Sequence, residues 1–289
     1  MAHARPERNR AAGSTVWILT DEAYLDQRMP GALVNWLAGR GIEHRVICPE
    51  RAVIELGDRR GAAPHPLAGF GQRDLVVARS RHPVTLAVLT GAPDAARTLP
   101  SSAAVVRVRD KLAVARTLAH CGVPALRTWA VADAALLAQL PPTCFPLVVK
   151  PRFGDNARGV ATIARPSDLG GQTPAGDLLL AQPYLDSGGI DLKVYVAGDR
   201  VWAVLRPSPL NGGAGADESH PVDVPDRLAA LARCCRDAFD LELLGLDVLE
   251  TRSGPFVVDV NEFPNYTGIP EAADAIGEMV LARLRGATS

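Results

Sequence analysis

Two apolar runs, Leu241–Glu250 and Phe256–Val260, constrain the fold of this chain more than any other stretch of it. The residues between them, Thr251–Pro255, read as a five-residue turn, so the two runs form a β-hairpin. A symmetric loop about Ser253 sets Asp247 directly opposite Asp259, and the two-residue period of a strand puts Asn261 on the same face. Like charges facing each other across a sheet destabilise it unless something offsets them. Mg²⁺ suits such oxygen ligands, usually through one or two carboxylates together with substrate phosphates. A solvated strand face with incidental acids is the alternative, and the near-continuous apolar flanks, Leu244 to Leu249 and Phe256 to Val260, argue for burial.

The N-terminal part has a different pattern. Residues 1–14 are polar and Arg-rich and read as a disordered tail. Strands are expected at Val16–Thr20, His44–Cys48 and Asp74–Arg79, with helices at Pro30–Arg40 and Pro83–Leu89. Strands alternating with helices imply a small parallel α/β lobe over residues 15–100. Beyond it, Arg109–His120 reads as one helix closed by Gly122. Pro146–Pro151 and Val160–Ile163 read as strands around the loop Gly154–Gly159, and Leu178–Gln182 as a buried strand that stops at Pro183. Leu192–Val196 and Arg200–Arg206 flank a Gly198-Asp199 hairpin turn. Asn211–His220 is a polar loop, while Asp226–Phe239 and Pro270–Arg285 are helices. This second part is α+β.

Charge and cysteine usage exclude several classes. A net charge of -1 gives no global drive toward nucleic acid or an anionic membrane. No apolar run approaches the roughly 20 residues of a membrane span, and no secretory signal opens the chain. The five cysteines lack CxxC spacing, which suits a reduced cytoplasm. The histidines show no HxxxH or HExxH spacing, and no Ser/His/Asp set with GxSxG context is present.

Among 31 basic residues only three are lysines: Lys111, Lys150 and Lys193. A chain that otherwise uses arginine marks these as positions that need a compact point charge on a flexible stem. Lys150 ends the strand before the Gly154–Gly159 loop, and successive backbone N–H groups of such a loop can turn toward one anion. The pattern is not the GxxxxGK[ST] loop. No GxGxxG follows the first strand either, where Thr20-Asp21-Glu22 stands instead.

In chain order these pieces are Arg109-Asp110-Lys111 at a helix start, Val148-Val149-Lys150-Pro151, the glycine loop, Leu180-Ala181-Gln182, Asp191-Leu192-Lys193, Leu246-Asp247 and Asp259-Val260-Asn261. The ordered set resembles the ATP-grasp superfamily over roughly residues 105–285. The resemblance implies an ATP-grasp fold after a small parallel α/β lobe. The grasp domain would run over 101–286, with a lid subdomain at about 125–180 and a catalytic subdomain at 181–286. ATP would lie between two antiparallel sheets. Lys111 and Lys150 would hold its phosphates under the loop that includes Gly154, Asn156 and Gly159. Gln182, Tyr184 and Leu185 would form the adenine hinge. Asp191 and Lys193 would contribute from the facing sheet, Lys193 at the phosphates. Asp247, Asp259 and Asn261 would carry one or two Mg²⁺ ions, with Mn²⁺ as an alternative. Arg206, together with Lys193, would stabilise charge on the transferred phosphoryl group.

Two branches fit. Asp191-Leu192-Lys193 resembles the Asp-Ile-Arg of the glutamate-ligase and ribosomal-protein-modifying branch, which joins a carboxylate to an amine through an acyl phosphate. Asp259-x-Asn261-x-Phe263-Pro264-x-Tyr266-x-Gly268 resembles the C-terminal signature of the inositol trisphosphate kinases. Those kinases follow the hinge with Asn-His, whereas Asp186-Ser187 stands here. A polyphosphate would need a dense basic pocket, for which Arg79, Arg81, His82, Arg152 and Arg158 are available. The ligase with a small-molecule or peptide substrate is the favoured expectation, and a homo-oligomer is compatible with it. A nucleotide-binding regulator without turnover is the third reading.

Overall fold

The computed structural model describes residues 13–54, 66–90, 97–154, 158–170, 178–208, 219–251 and 254–286. The expected N-terminal tail lies outside them up to residue 12, as do Asn156 and residues 211–218 of the expected polar loop.

Contacts divide the chain into two units. One contains the described residues up to Ser102 together with those from Phe263 onward, and the other spans Ala103–Glu262. In the first, β1 (Val16–Thr20), β2 (His44–Ile47), β3 (Leu75–Arg79) and β4 (Arg97–Leu99) form a parallel sheet in the order β2-β1-β3-β4. Strands β1 and β3 are buried along their whole length, as the continuous runs VWILT and LVVAR require. Helices α1 (Arg28–Gly39) and α2 (Pro83–Thr90) lie between strands in the chain.

The C-terminal helix, Ala272–Gly286, packs within this unit. A Cβ on Gly277 would lie 2.3 Å from the Trp36 ring, so only glycine admits the indole there. Trp36 Nε1 then donates to Asp274 Oδ1 at 2.8 Å.

The second unit carries two antiparallel sheets. One is β5 (Trp129–Val131), β6 (Leu147–Pro151), β7 (Ala161–Ile163) and β8 (Leu179–Pro183), in the order β5-β8-β6-β7. The other holds β9 (Ile190–Ala197), β10 (Arg200–Pro207), β11 (His220–Val222), β12 (Leu243–Thr251) and β13 (Gly254–Glu262), ordered β11-β10-β9-β12-β13. Helix α5 (Asp226–Phe239) buries Leu228, Leu231, Ala232, Cys235 and Phe239 in a core shared with this sheet, a single stripe at helical spacing. Burial pushes the Cys235 thiol up to about 12, consistent with a packing residue and not a nucleophile.

Three local expectations are corrected. The expected helix Arg109–His120 starts two residues later, as α4 (Lys111–His120), and a separate helix, α3 (Ser102–Arg109), precedes it. Asp110 breaks the run because its extended backbone lets the carboxylate accept from Leu112 N at 3.0 Å and Ala113 N at 3.3 Å. His220 is not in a loop but on edge strand β11, opposite Leu205. The third correction is the hairpin turn. Thr251 pairs with Gly254, so the loop has two residues and not five, which alone would misalign the two aspartates. A bulge at Val258 adds one residue to β13 and restores the pairing of Asp247 with Asp259.

Candidate active site

The face that carries the charged residues is built by register. On β9, Asp191, Lys193 and Tyr195 alternate onto one side. Across the ladders Asp247 pairs with Lys193 and with Asp259, Asn261 pairs with Gly245, and Arg206 pairs with Asp191. The sheet therefore collects Asp191, Lys193, Arg206, Asp247, Asp259 and Asn261 on one surface.

The like-charge problem of the hairpin is met by lysines. Lys193 Nζ lies 2.7 Å from Asp247 Oδ1 and 3.9 Å from Asp191 Oδ2. Lys111, the first residue of α4, donates to Asp259 Oδ2 at 2.5 Å. Lys150 comes from the other sheet at the end of β6, and its Nζ donates to Val258 O at 3.4 Å. The bulge residue thus supplies the carbonyl that receives the third lysine.

These contacts divide the electrostatics. Burial pulls the Lys150 ammonium below the ordinary lysine value and Lys111 adds repulsion, while Asp259 and Asp247 oppose the fall. Burial also acts against charge on Lys193 and on Asp259. Asp247 nevertheless holds Lys193 above the ordinary value, and Lys111 and Lys150 hold Asp259 below its own. Tyr195, raised by burial, is hydrogen-bonded to Arg206.

Asp259 Oδ1 is buried without a hydrogen-bond partner among the described residues. A buried anionic oxygen left in that state is costly unless a cation meets it. Among the described residues no group of three or more His, Cys, Asp or Glu side chains forms a cage. Two carboxylates and the Asn261 amide instead give a partial oxygen set, which fits Mg²⁺ bound jointly with phosphates.

The glycine loop packs on its own stem. Gly159 has φ +69°, and Cβ atoms added at Gly154 and Gly159 would meet Pro151 Cγ at 3.2 and 3.4 Å. Gln182 is buried and donates from Nε2 to Thr128 Oγ1 at 3.0 Å. The backbone N–H of Tyr184 is used by Pro146 O at 2.8 Å, and the Leu185 side chain is exposed. A small cleft is lined by Lys111, Leu118, Thr128, Lys150, Gln182 and Asp259, among others. It brings Lys111, Lys150 and Gln182 together. Asp191, Lys193, Arg206, Asp247 and Asn261 do not line it.

Sequence reasoning missed Thr128, Val258 and the cap Asp110. Only Asp110 carried a signal, an aspartate immediately before a helical run.

Two antiparallel sheets with a lysine-lined cleft between them and paired carboxylates on one floor define the ATP-grasp fold. The RimK-like ATP-grasp domain matches residues 108–281, and the chain belongs to that family. Inositol-tetrakisphosphate 1-kinase 2 of Glycine max is 28% identical over 173 residues, covering 50% of this chain and 55% of that protein. A probable alpha-L-glutamate ligase of Shewanella loihica is 28% identical over 187 residues, covering 59% and 61%. The chain thus spans less than two thirds of the length of either relative. The crystal structure of a RimK domain ATP-grasp protein from Sphaerobacter thermophilus superposes with a TM-score of 0.70 at 18% identity, over 93% of this chain and 98% of that one.

Proposed function

We propose that the chain is an ATP- and Mg²⁺-dependent ligase that joins a carboxylate to an amine, on an amino-acid or peptide substrate, through an acyl phosphate. The observation that carries the reading is the orphaned Oδ1 of Asp259 beside Asp247, with Lys111, Lys150 and Lys193 on the same cleft and floor. Asp247, Asp259 and Asn261 would hold the metal, which neutralises phosphate charge when bound. Lys111 and Lys150 hold the phosphates, and the backbone of the Gly154–Gly159 loop covers them and excludes water. Gln182 and the backbone at Leu185 meet the adenine. Lys193 and Arg206 face the transferred phosphoryl group and the acceptor carboxylate, with Asp191 setting the Lys193 ammonium. Each role is charge neutralisation or positioning, which dominate phosphoryl transfer.

Arg152 favours the ligase over an inositol-phosphate kinase. It makes a two-point pair with Asp110, Nε to Oδ1 at 2.9 Å and Nη2 to Oδ2 at 2.5 Å, so it is committed within the protein. Arg79 is buried with its guanidinium 4.3 Å from the Tyr24 ring centre. Two of the cations a polyphosphate would use are thus already engaged. The similarity to the Glycine max kinase is what keeps the second reading in view.

Following phosphorus separates the two. With ATP, Mg²⁺ and a panel of amino acids, peptides and inositol phosphates, a ligase releases phosphate one-for-one with ADP, and only when acid and amine are both present. A phosphorylated polyol without free phosphate would install the kinase. Nucleotide binding with no turnover on any panel member would install the regulator. Among the described residues no helix is long and apolar enough to cross a membrane, which is compatible with the proposed cytoplasmic site of action.

A further inference from the structure

We propose that Asp110 and Arg152 are a positioning pair that fixes the spacing between Lys111 and Lys150 and thereby sets nucleotide affinity. The proposal rests on the ATP-site reading above. Neither residue touches the cleft; they act through their neighbours in the chain.

Asp110 immediately precedes Lys111, and Arg152 follows Lys150 by two residues. Three bonds tie the two segments together. The guanidinium grips both carboxylate oxygens, at 2.9 and 2.5 Å, and the Lys111 backbone N–H donates to Arg152 O at 3.1 Å. Arg152 N in turn donates to Leu178 O at 3.1 Å, just before β8. One residue therefore joins the start of α4, the end of β6 and the approach to β8. Its guanidinium also lies 4.9 Å from the ring centre of Phe153, the residue before Gly154, so the same node reaches the stem of the glycine loop.

The geometry explains why Asp110 is more than a cap. Serine at this position would satisfy Leu112 and Ala113 as well, but only a carboxylate offers two oxygens to a guanidinium fork. Without the fork, the Lys111 N–H to Arg152 O bond is what remains, among the described residues, of the three ties between the two segments. The lid strand carrying Lys150 can then drift from Lys111, and two lysines that must grip one triphosphate lose their fixed separation. Rigid presentation of both charges lowers the ordering cost of binding.

The test separates capping from clasping. Asp110→Ser keeps the cap and removes the fork; Arg152→Gln removes the fork from the other side. Binding of ATP with Mg²⁺ is measured by calorimetry, beside thermal unfolding of the ligand-free protein and steady-state kinetics. Each single variant is expected to weaken ATP binding about fivefold, the scale of one partly exposed two-point charge pair. The ATP KM should rise by the same factor at unchanged kcat. The double variant should bind no worse than the weaker single, since both remove one interaction. Unchanged ATP affinity in either single variant, additive losses in the double, or a fall in kcat at constant KM would each overturn the proposal. Failure of the wild-type protein to bind ATP would instead overturn the ATP-site reading, and the clasp with it.

Discussion

A lysine at position 150 is not exchangeable for arginine, although arginine outnumbers lysine heavily in this chain. Lys150 is 7% exposed and its ammonium donates to the carbonyl of Val258, a space suited to a point charge on a thin stem. Lys150→Arg keeps the charge but brings a planar guanidinium into the space beside Val258 and Asp259. ATP affinity should fall at least about tenfold, or 1.4 kcal/mol, as calorimetry would show. Asp259→Asn works through a different debt. Lys111 loses its 2.5 Å partner in a setting where both side chains are less than one-fifth exposed. Removing one member of such a pair leaves the other charge uncompensated, so the variant should lose about 3 kcal/mol of stability in denaturant unfolding. Turnover should fall by orders of magnitude even under conditions where it is folded, because one proposed metal ligand is gone. A folded Asp259→Asn enzyme with full activity at saturating Mg²⁺ would remove the residue from the metal set.

At the scale of elements, the β12–β13 hairpin shows how a correct pairing can follow from an incorrect turn. The sequence places Asp247 and Asp259 opposite each other through a five-residue loop; the protein does so through a two-residue loop and a bulge. A bulge has no marker in Val258 itself, since Val257-Val258 reads as ordinary strand. Its consequence, a carbonyl freed for Lys150, was therefore hidden as well. Long periodic elements were legible: α5 spans Asp226–Phe239 as its apolar stripe requires. Helix α3 was not, although Arg109-Asp110-Lys111 marked the start of α4. The residues that gather at the cleft were legible by type and order, while Thr128 was not, since nothing local distinguishes one threonine from another. The glycine loop offers a test of its own. Gly159 sits at φ +69° and against Pro151, so Gly159→Ala combines backbone strain with a tight contact. It should weaken ATP binding by more than the modest drop in melting temperature accounts for, since Gly159 is itself exposed. A loss of stability without a loss of affinity would assign this glycine to the fold alone.

At the scale of the molecule, a net charge of -1 conceals an alternation of buried charges whose titrations have different signs. On the acid side, Asp110 is held below the usual carboxylate value by its bonds from Arg152. Asp259 is held below by Lys111 and Lys150 against the opposing effect of burial. Their contributions to stability are present above the ordinary aspartate value of about 3.9 and are lost as pH falls through the folded values. On the alkaline side the lysines divide. Lys193, held above its ordinary value chiefly by Asp247 despite burial, contributes stability that is lost only when pH rises through that raised value. Lys150, pulled below by burial, gives up its proton earlier. Over that interval the unfolded chain binds more protons at this site than the folded one, so its deprotonation does not destabilise the fold. The proposed phosphate site nevertheless loses a cation there. ATP affinity should consequently decline with rising pH before the melting temperature does. Parallel calorimetry and thermal unfolding between about pH 7 and 10 would show the two curves separate. Lys150→Met should bind ATP weakly at every pH and lack the alkaline decline. An affinity that stays level for as long as the wild-type protein stays folded would show that Lys150 does not carry the phosphate charge.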